Sequence, residues 1–329
     1  MQRAVSVTRR CRGPVLGSAG NQRGTLMRAI WAGFVSALMM VGLATAGWAQ
    51  DGLQRFEKEL KPQLELKSFT YKTGTAVGTS GFVLTDVVAV VPANAATGDK
   101  ESTIKIEKFT VDELDFDRLK KDAKDDEAPR FARLKIEGMT GDDEIFTALA
   151  PYGVPKLPVD IALDYNIDGK EKVLTLKTLE VSLRGQGKLT LALVIDGISD
   201  KSSAMDDGKL RTASLVIDDT GLISKVLPAM AKEQGIKAQE LVDTALGALA
   251  GFAAAQGAPT LKALDAVASF IADWRAPKGP LALGLQPVKT AGMDDLDKIM
   301  EPNALVDVFG FTATYPATKS GAAKAGPAK

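Results

Sequence analysis

The sequence predicts an α+β fold: a twisted, mainly antiparallel β-sheet rich in hairpins, with a C-terminal helical layer packed on it. Three observations predict it. Apolar and polar residues alternate from Val173 to Ile195, a similar strand spacing recurs three times upstream, and the apolar period lengthens to a helical one after Asp218.

The alternation is clearest at Leu179, Val181 and Leu183. It breaks over Arg184, Gly185, Gln186, Gly187 and Lys188, then resumes at Leu189, Leu191, Leu193 and Ile195. Period two turns one face of a strand to a core and the other to water, and the glycines permit a tight reversal. The stretch is a β-hairpin with one apolar face.

Earlier strands share its rhythm. Apolar residues step by two, three and two at Leu64, Leu66, Phe69 and Tyr71, and again at Ile104, Ile106, Phe109 and Val111. The step recurs at Leu134, Ile136 and Met139, and at Leu174, Leu176, Leu179 and Val181. A step of three inside a strand changes face, as a β-bulge would. The Thr97–Val111 stretch aligns with Ile167–Val181, so a duplication of paired strands and a chance likeness between hairpins both stand open. Phe82–Val91 and Val159–Tyr165 read as the strand partners, and Lys209–Ile217 as a further strand. Gly74, Gly78 and Gly81 lack the strand-to-helix setting of a phosphate loop and read as a flexible connection.

Gln50–Leu60 carries Leu53, Phe56 and Leu60 at helical spacing before Pro62. After Asp218, a helix holding Pro228 runs to Gly235, a second spans Ala238–Gln256 and a third Thr260–Trp274. Leu281–Leu285 and Val308–Tyr315 read as strands and Asp294–Met300 as helical, and the tail beyond Pro316 as disordered by composition. The expected organisation is a leader at 1–49, β-rich units at 50–133 and 134–217, a helical layer with closing strands at 218–315, and a tail at 316–329.

The leader holds six arginines and no acid, and Ala29–Thr45 is almost wholly apolar before the small residues Ala44, Ala46 and Ala49. That is the pattern of an export signal cleaved after Ala46 or Ala49, which implies a periplasmic protein. An uncleaved inner-membrane anchor is the alternative, since the run approaches the ~18 residues of a span. The remaining chain has 35 basic against 41 acidic residues, a net charge of −6, and no cationic cluster, which argues against nucleic acid.

Cys11 is the one cysteine and histidine is absent. Beyond the leader, thiolate nucleophiles, Ser-His-Asp triads, zinc sites and Cys-ligated iron–sulfur clusters are therefore excluded. No cofactor is expected. Carboxylate, lysine or tyrosine chemistry stays open, and a carboxylate-based hydrolase is the distant alternative. Asp164, Asn166, Asp168 and Gly169 form the first half of a calcium loop, but Thr175 stands where the bidentate glutamate belongs. Lys72-Thr73-Gly74 and Ser102-Thr103-Ile104-Lys105 occur in the reverse of the penicillin-binding order and read as coincidence. Gly247 and Gly251 stand at G-x-x-x-G spacing in an apolar helix, where close packing on a sheet or helix is the first reading and a membrane-surface or lipid contact the second.

The leader, the missing Cys and His, and strands reading L-x-L-x-x-L-x-V over roughly residues 64–200 resemble the AsmA-like and YdgA-like envelope proteins of Gram-negative bacteria. The resemblance implies curved β-sheet with an apolar inner face and a role in the envelope, and it transfers no functional residue. The expected function is a non-enzymatic periplasmic protein holding a lipid or other apolar ligand between sheet and helices. Leu189, Leu191, Leu193 and Ile195 would line that site from the sheet, and Leu246, Leu249 and Phe252 from a helix. A structural or protein-interaction module with a filled core, binding an envelope protein, is the alternative.

Overall fold

The structure, a computed structural model, describes residues 50–94, 100–119, 128–142, 144–198 and 208–317. The leader, the start of the Thr97–Val111 stretch and the tail beyond 317 lie outside the described residues.

A short helix, α1 (Gly52–Arg55), opens the described chain with Asp51 accepting from the Gln54 amide at 2.8 Å. It continues as a π turn, Phe56–Leu60, and a 3-10 turn, Lys61–Gln63. Then come β1 (Ser68–Thr70), β2 (Thr73–Val77), β3 (Gly81–Val91), β4 (Ser102–Leu114) and β5 (Phe131–Gly141). A single turn of helix, α2 (Glu144–Thr147), leads to β6 (Val159–Asp168), β7 (Val173–Leu183), β8 (Gly187–Asp196) and β9 (Lys209–Asp219). Three helices follow: α3 (Ile223–Glu233), α4 (Ala238–Ala253) and α5 (Ala258–Ala272). β10 (Leu281–Leu285), a 3-10 stretch (Met293–Met300), α6 (Ala304–Asp307) and β11 (Thr312–Thr314) complete the chain.

All these strands join one sheet in the order β1-β3-β4-β5-β6-β7-β8-β9-β10-β11, with β2 also on β3. Each neighbouring pair is antiparallel. The sheet runs unbroken across residues 133 and 134, which both lie inside β5. Short turns join β2 to β3, β6 to β7 and β7 to β8, as the hairpin signals in the sequence imply, while longer connections join the other neighbours. The β7–β8 turn is Arg184–Gln186, with Gly185 at φ 71°, a left-handed conformation that glycine takes without strain.

Two of the steps of three are where the ladders slip, whereas the Ile106–Phe109 step on β4 holds its register and that strand slips against β5 between Val111 and Glu113. Register shifts fall between Ile136 and Met139 on β5 and between Leu176 and Leu179 on β7. They do not change face, contrary to the sequence expectation. Leu176 pairs with Leu193 and Leu179 with Leu191, two residues on one side of β8, so the slip keeps both halves of β7 on the same face.

Other differences have local causes. Gly74, Gly78 and Gly81 belong to a hairpin instead of a flexible connection: Gly74 sits in β2, Gly78 turns at φ 59° and Gly81 starts β3. A side chain at Gly74 would crowd Leu53 of α1, 3.1 Å away. The expected Val308–Tyr315 strand shrinks to Thr312–Thr314, because the Val308, Gly310 and Phe311 amides donate back to the Ala304, Val306 and Leu305 carbonyls in the turn that closes α6, with Gly310 at φ 58°. Pro228 lies inside α3 without splitting it. Asp219 supplies the start of that helix, accepting from the Leu222 and Ile223 amides at 2.9 and 3.0 Å.

The densest core lies at the amino-terminal end of the sheet, where Phe56 and Leu60 close over Phe82, Leu84, Val87, Val111, Phe116 and Leu119. The Phe56 and Phe82 rings are 4.5 Å apart, and Phe109 meets Phe82 edge-on at 5.6 Å. At the other end α5 lies against β10 and β11. Phe270 of α5 packs edge-on to Tyr315 at 5.4 Å, and the Tyr315 hydroxyl donates to Asp273 at 2.9 Å.

Candidate functional site

Residues paired directly across antiparallel strands share a face. One row of paired residues runs Leu84, Phe109, Ile136, Ile161, Val181, Leu189, Ile217 and Leu281, from β3 to β10. Beside it runs Phe82, Val111, Leu134, Leu163, Leu179, Leu191, Leu215, Leu283 and Ala313, from β3 to β11. The sheet thus carries one continuous apolar face.

Its cover is uneven. In the first row Leu84 is fully buried and Leu281 is 3% exposed, whereas Val181 and Leu189, between them, are 40% and 39% exposed. Leu163, Leu174, Leu176 and Leu179 on β6 and β7 are half-buried, as are Leu191, Leu193 and Ile195 on β8. The apolar face is therefore covered at both ends and least covered in the middle, at Val181 and Leu189. Neighbouring strands are ~4.8 Å apart, so the open part is a few strands wide, and Val181 to Leu174 covers ~23 Å along β7.

Leu189, Leu191, Leu193 and Ile195, expected at a site, all stand on this face. Leu246, Leu249 and Phe252 are half-buried on α4, which is held chiefly by α3 and α5 instead of by a strand. Val181, Leu179 and Leu163 belong to the same surface and were missed as site residues. Their alternation was legible, but their place beside Leu189 and Leu191 follows from pairing register.

The close-packing reading of Gly247 and Gly251 does not hold. Both are exposed, and a methyl group at either would meet nothing within 4 Å.

The opposite face of β6 and β7 is polar and largely paired. Asp164 forms ion pairs with Arg133 at 3.4 Å and Lys177 at 3.5 Å. The Asp168 carboxylate accepts from the Lys170 and Glu171 amides at 2.9 and 3.1 Å, closing the β6–β7 turn. These amides hold its pKa below the usual aspartate value. The acids of the half calcium loop are therefore engaged in structure, and Asn166 stands exposed between them. Among the described residues no three acidic, His or Cys side chains gather as a metal site. Two recesses of about 480 and 350 Å³ adjoin these residues; Arg130 and Lys170 line one, Glu113, Arg133 and Lys177 the other. Neither includes any of the seven apolar residues expected at the site.

A second polar feature crosses four strands. The Arg184 guanidinium donates to Asp160 at 2.9 Å and to Glu107 at 3.0 Å, and the Gly138 amide donates to Asp160 at 2.6 Å. Desolvation raises the Asp160 pKa, but the bonds from Arg184 and Gly138 and the guanidinium charge outweigh it and hold the pKa below the usual range. Gly138 has φ 67°, and a side chain there would run into Glu107.

Two tyrosines, Tyr71 and Tyr165, are held away from ionisation. Tyr71 is pushed up to about 12 by its 2.5 Å bond to Glu57, by burial and by that carboxylate's charge. Tyr165 is pushed up to about 12 by burial, with the Asp115 charge adding to it. Both phenols stay protonated at neutral pH.

A family model described only as an uncharacterized protein matches residues 179–316, from the second half of β7 through the helices and just past β11. No curated protein and no solved structure matches the chain. The matched segment holds Val181, Leu189 and the rest of β8, together with the helical layer.

Proposed function

We propose that this chain is an exported, non-enzymatic protein of the bacterial envelope that shelters a lipid or other apolar ligand on the open centre of its sheet. One observation carries the proposal: Val181 and Leu189 lie exposed in the middle of an apolar row whose ends are buried. Exposed apolar area costs roughly 25 cal/mol per Å², so a face left bare between covered ends favours an apolar guest. The export-like leader, the absence of histidine and the confinement of cysteine to Cys11 support the compartment and the lack of an enzymatic site. Leu246, Leu249 and Phe252 sit on α4, which packs on α3 and α5, so the proposal rests on the sheet residues alone. No helix among the described residues is long and apolar enough to cross a membrane.

The test uses a naphthylamine probe that fluoresces in apolar surroundings. The protein should enhance its emission, a long-chain fatty acid should displace it, and Val181→Asp with Leu189→Asp should abolish the effect while circular dichroism stays unchanged. Enhancement that survives the double change would place the apolar site elsewhere. A protein that never enhances the probe would leave the sheet as a filled interaction module.

A further inference from the structure

We propose that the turn joining α3 to α4 is a contact surface for an anionic lipid bilayer. Met230, near the end of α3, and Ile236, in the turn, are exposed large apolar side chains in a segment that also exposes Lys225, Lys232 and Lys237. From residue 222 to 240 three lysines stand against Glu233 and Glu240, a net charge of +1 in a chain that carries −6 beyond its leader. Lys225 donates to the neutral Gln186 side chain at 2.6 Å, and Gly235 turns the chain at φ 71° with open space around it. Apolar side chains that enter the interface beside lysines that meet anionic headgroups are the two components of peripheral membrane binding.

The place of this turn in the fold adds to the argument. α3 begins against the β7–β8 turn, where the Thr220 and Leu222 amides donate to the Gln186 carbonyl at 2.9 and 3.2 Å. Val181 and Leu189 pair only two positions in from that turn. The lysine-flanked corner thus lies one helix length, about 16 Å, along α3 from the β7–β8 turn. The proposal rests on its own residues and stands whether or not the sheet holds a ligand.

The experiment uses the full chain, expressed with its own leader and recovered as the cell leaves it. Amide exchange is followed with vesicles of phosphatidylcholine alone and of phosphatidylcholine mixed with phosphatidylglycerol. The mixed vesicles should slow exchange across residues 226–240, and raised salt should reverse the effect. Lys232→Glu with Lys237→Glu should weaken vesicle partitioning by at least roughly thirty-fold, on the basis of ~1 kcal/mol per lysine near an anionic surface. Met230→Ser with Ile236→Ser should weaken it roughly ten-fold. Val288→Ser, at a side chain 86% exposed on another loop, should change nothing. Equal protection by the neutral vesicles would overturn the proposal, as would partitioning indifferent to both double changes. Protection that rises with protein concentration without lipid would overturn it in favour of contact between copies of the chain.

Discussion

Val181 on β7 stands directly opposite Leu189 on β8, and the two are the exposed members of a row whose outer members, Leu84 and Leu281, are buried. The gap in cover is therefore local. It falls between the amino-terminal core under Phe56 and the region where α5 meets β10 and β11. Stability and ligand retention should separate along this row.

Leu191→Ala and Leu84→Ala make that separation measurable. Leu84 is sealed in the core, and its truncation should cost about 3–5 kcal/mol in urea unfolding. Leu191 is half-buried, so its truncation should cost about 1–2 kcal/mol, below the range of a filled core.

Gly247→Ala and Gly251→Ala should each stabilise the protein by about 0.5–1 kcal/mol, since alanine favours a helix over glycine and both positions face open space. Thermal unfolding of the single and double variants checks this. Destabilisation would mean that another surface packs closely on α4.

The Arg184–Asp160 contact should give the protein an acid-sensitive component. The folded pKa of Asp160 is depressed, so its contribution is complete above the unfolded value of about 4 and is lost as pH falls through the lower folded value. Wild type should exceed Asp160→Asn in urea midpoint at pH 6. The difference should shrink below about pH 4.

Gly138→Ala should destabilise by roughly 1–3 kcal/mol, because it forces alanine into a left-handed conformation. It also drives a methyl group into Glu107. Glu107→Ala should relieve the collision and leave the backbone strain, so the double variant should recover part of the loss.

Much of this fold was legible because period two is a local signal. Leu189 to Ile195 declares its apolar face without help from the rest of the chain, and the steps of three at Ile136–Met139 and Leu176–Leu179 mark two slips in register. What the slips do to the face was not legible, since that depends on the partner strand. The Val308–Tyr315 expectation failed because an apolar run says nothing of the turn that Gly310 makes. Arg184 read only as a turn residue; its partners Asp160 and Glu107 lie 24 and 77 positions away. The apolar sheet residues of the site were visible in sequence. Their uneven cover was not, because it depends on how α1 and α5 dock at opposite ends. The orientation of Gly247 and Gly251 was likewise set by which side of α4 meets α3 and α5.

Native mass spectrometry after mild purification tests the central claim most directly. The account predicts wild-type protein carrying lipid-sized adducts, and Val181→Asp with Leu189→Asp lacking them. Clean ligand-free wild-type protein, together with the full penalty of roughly 2–5 kcal/mol for Leu191→Ala, would contradict it.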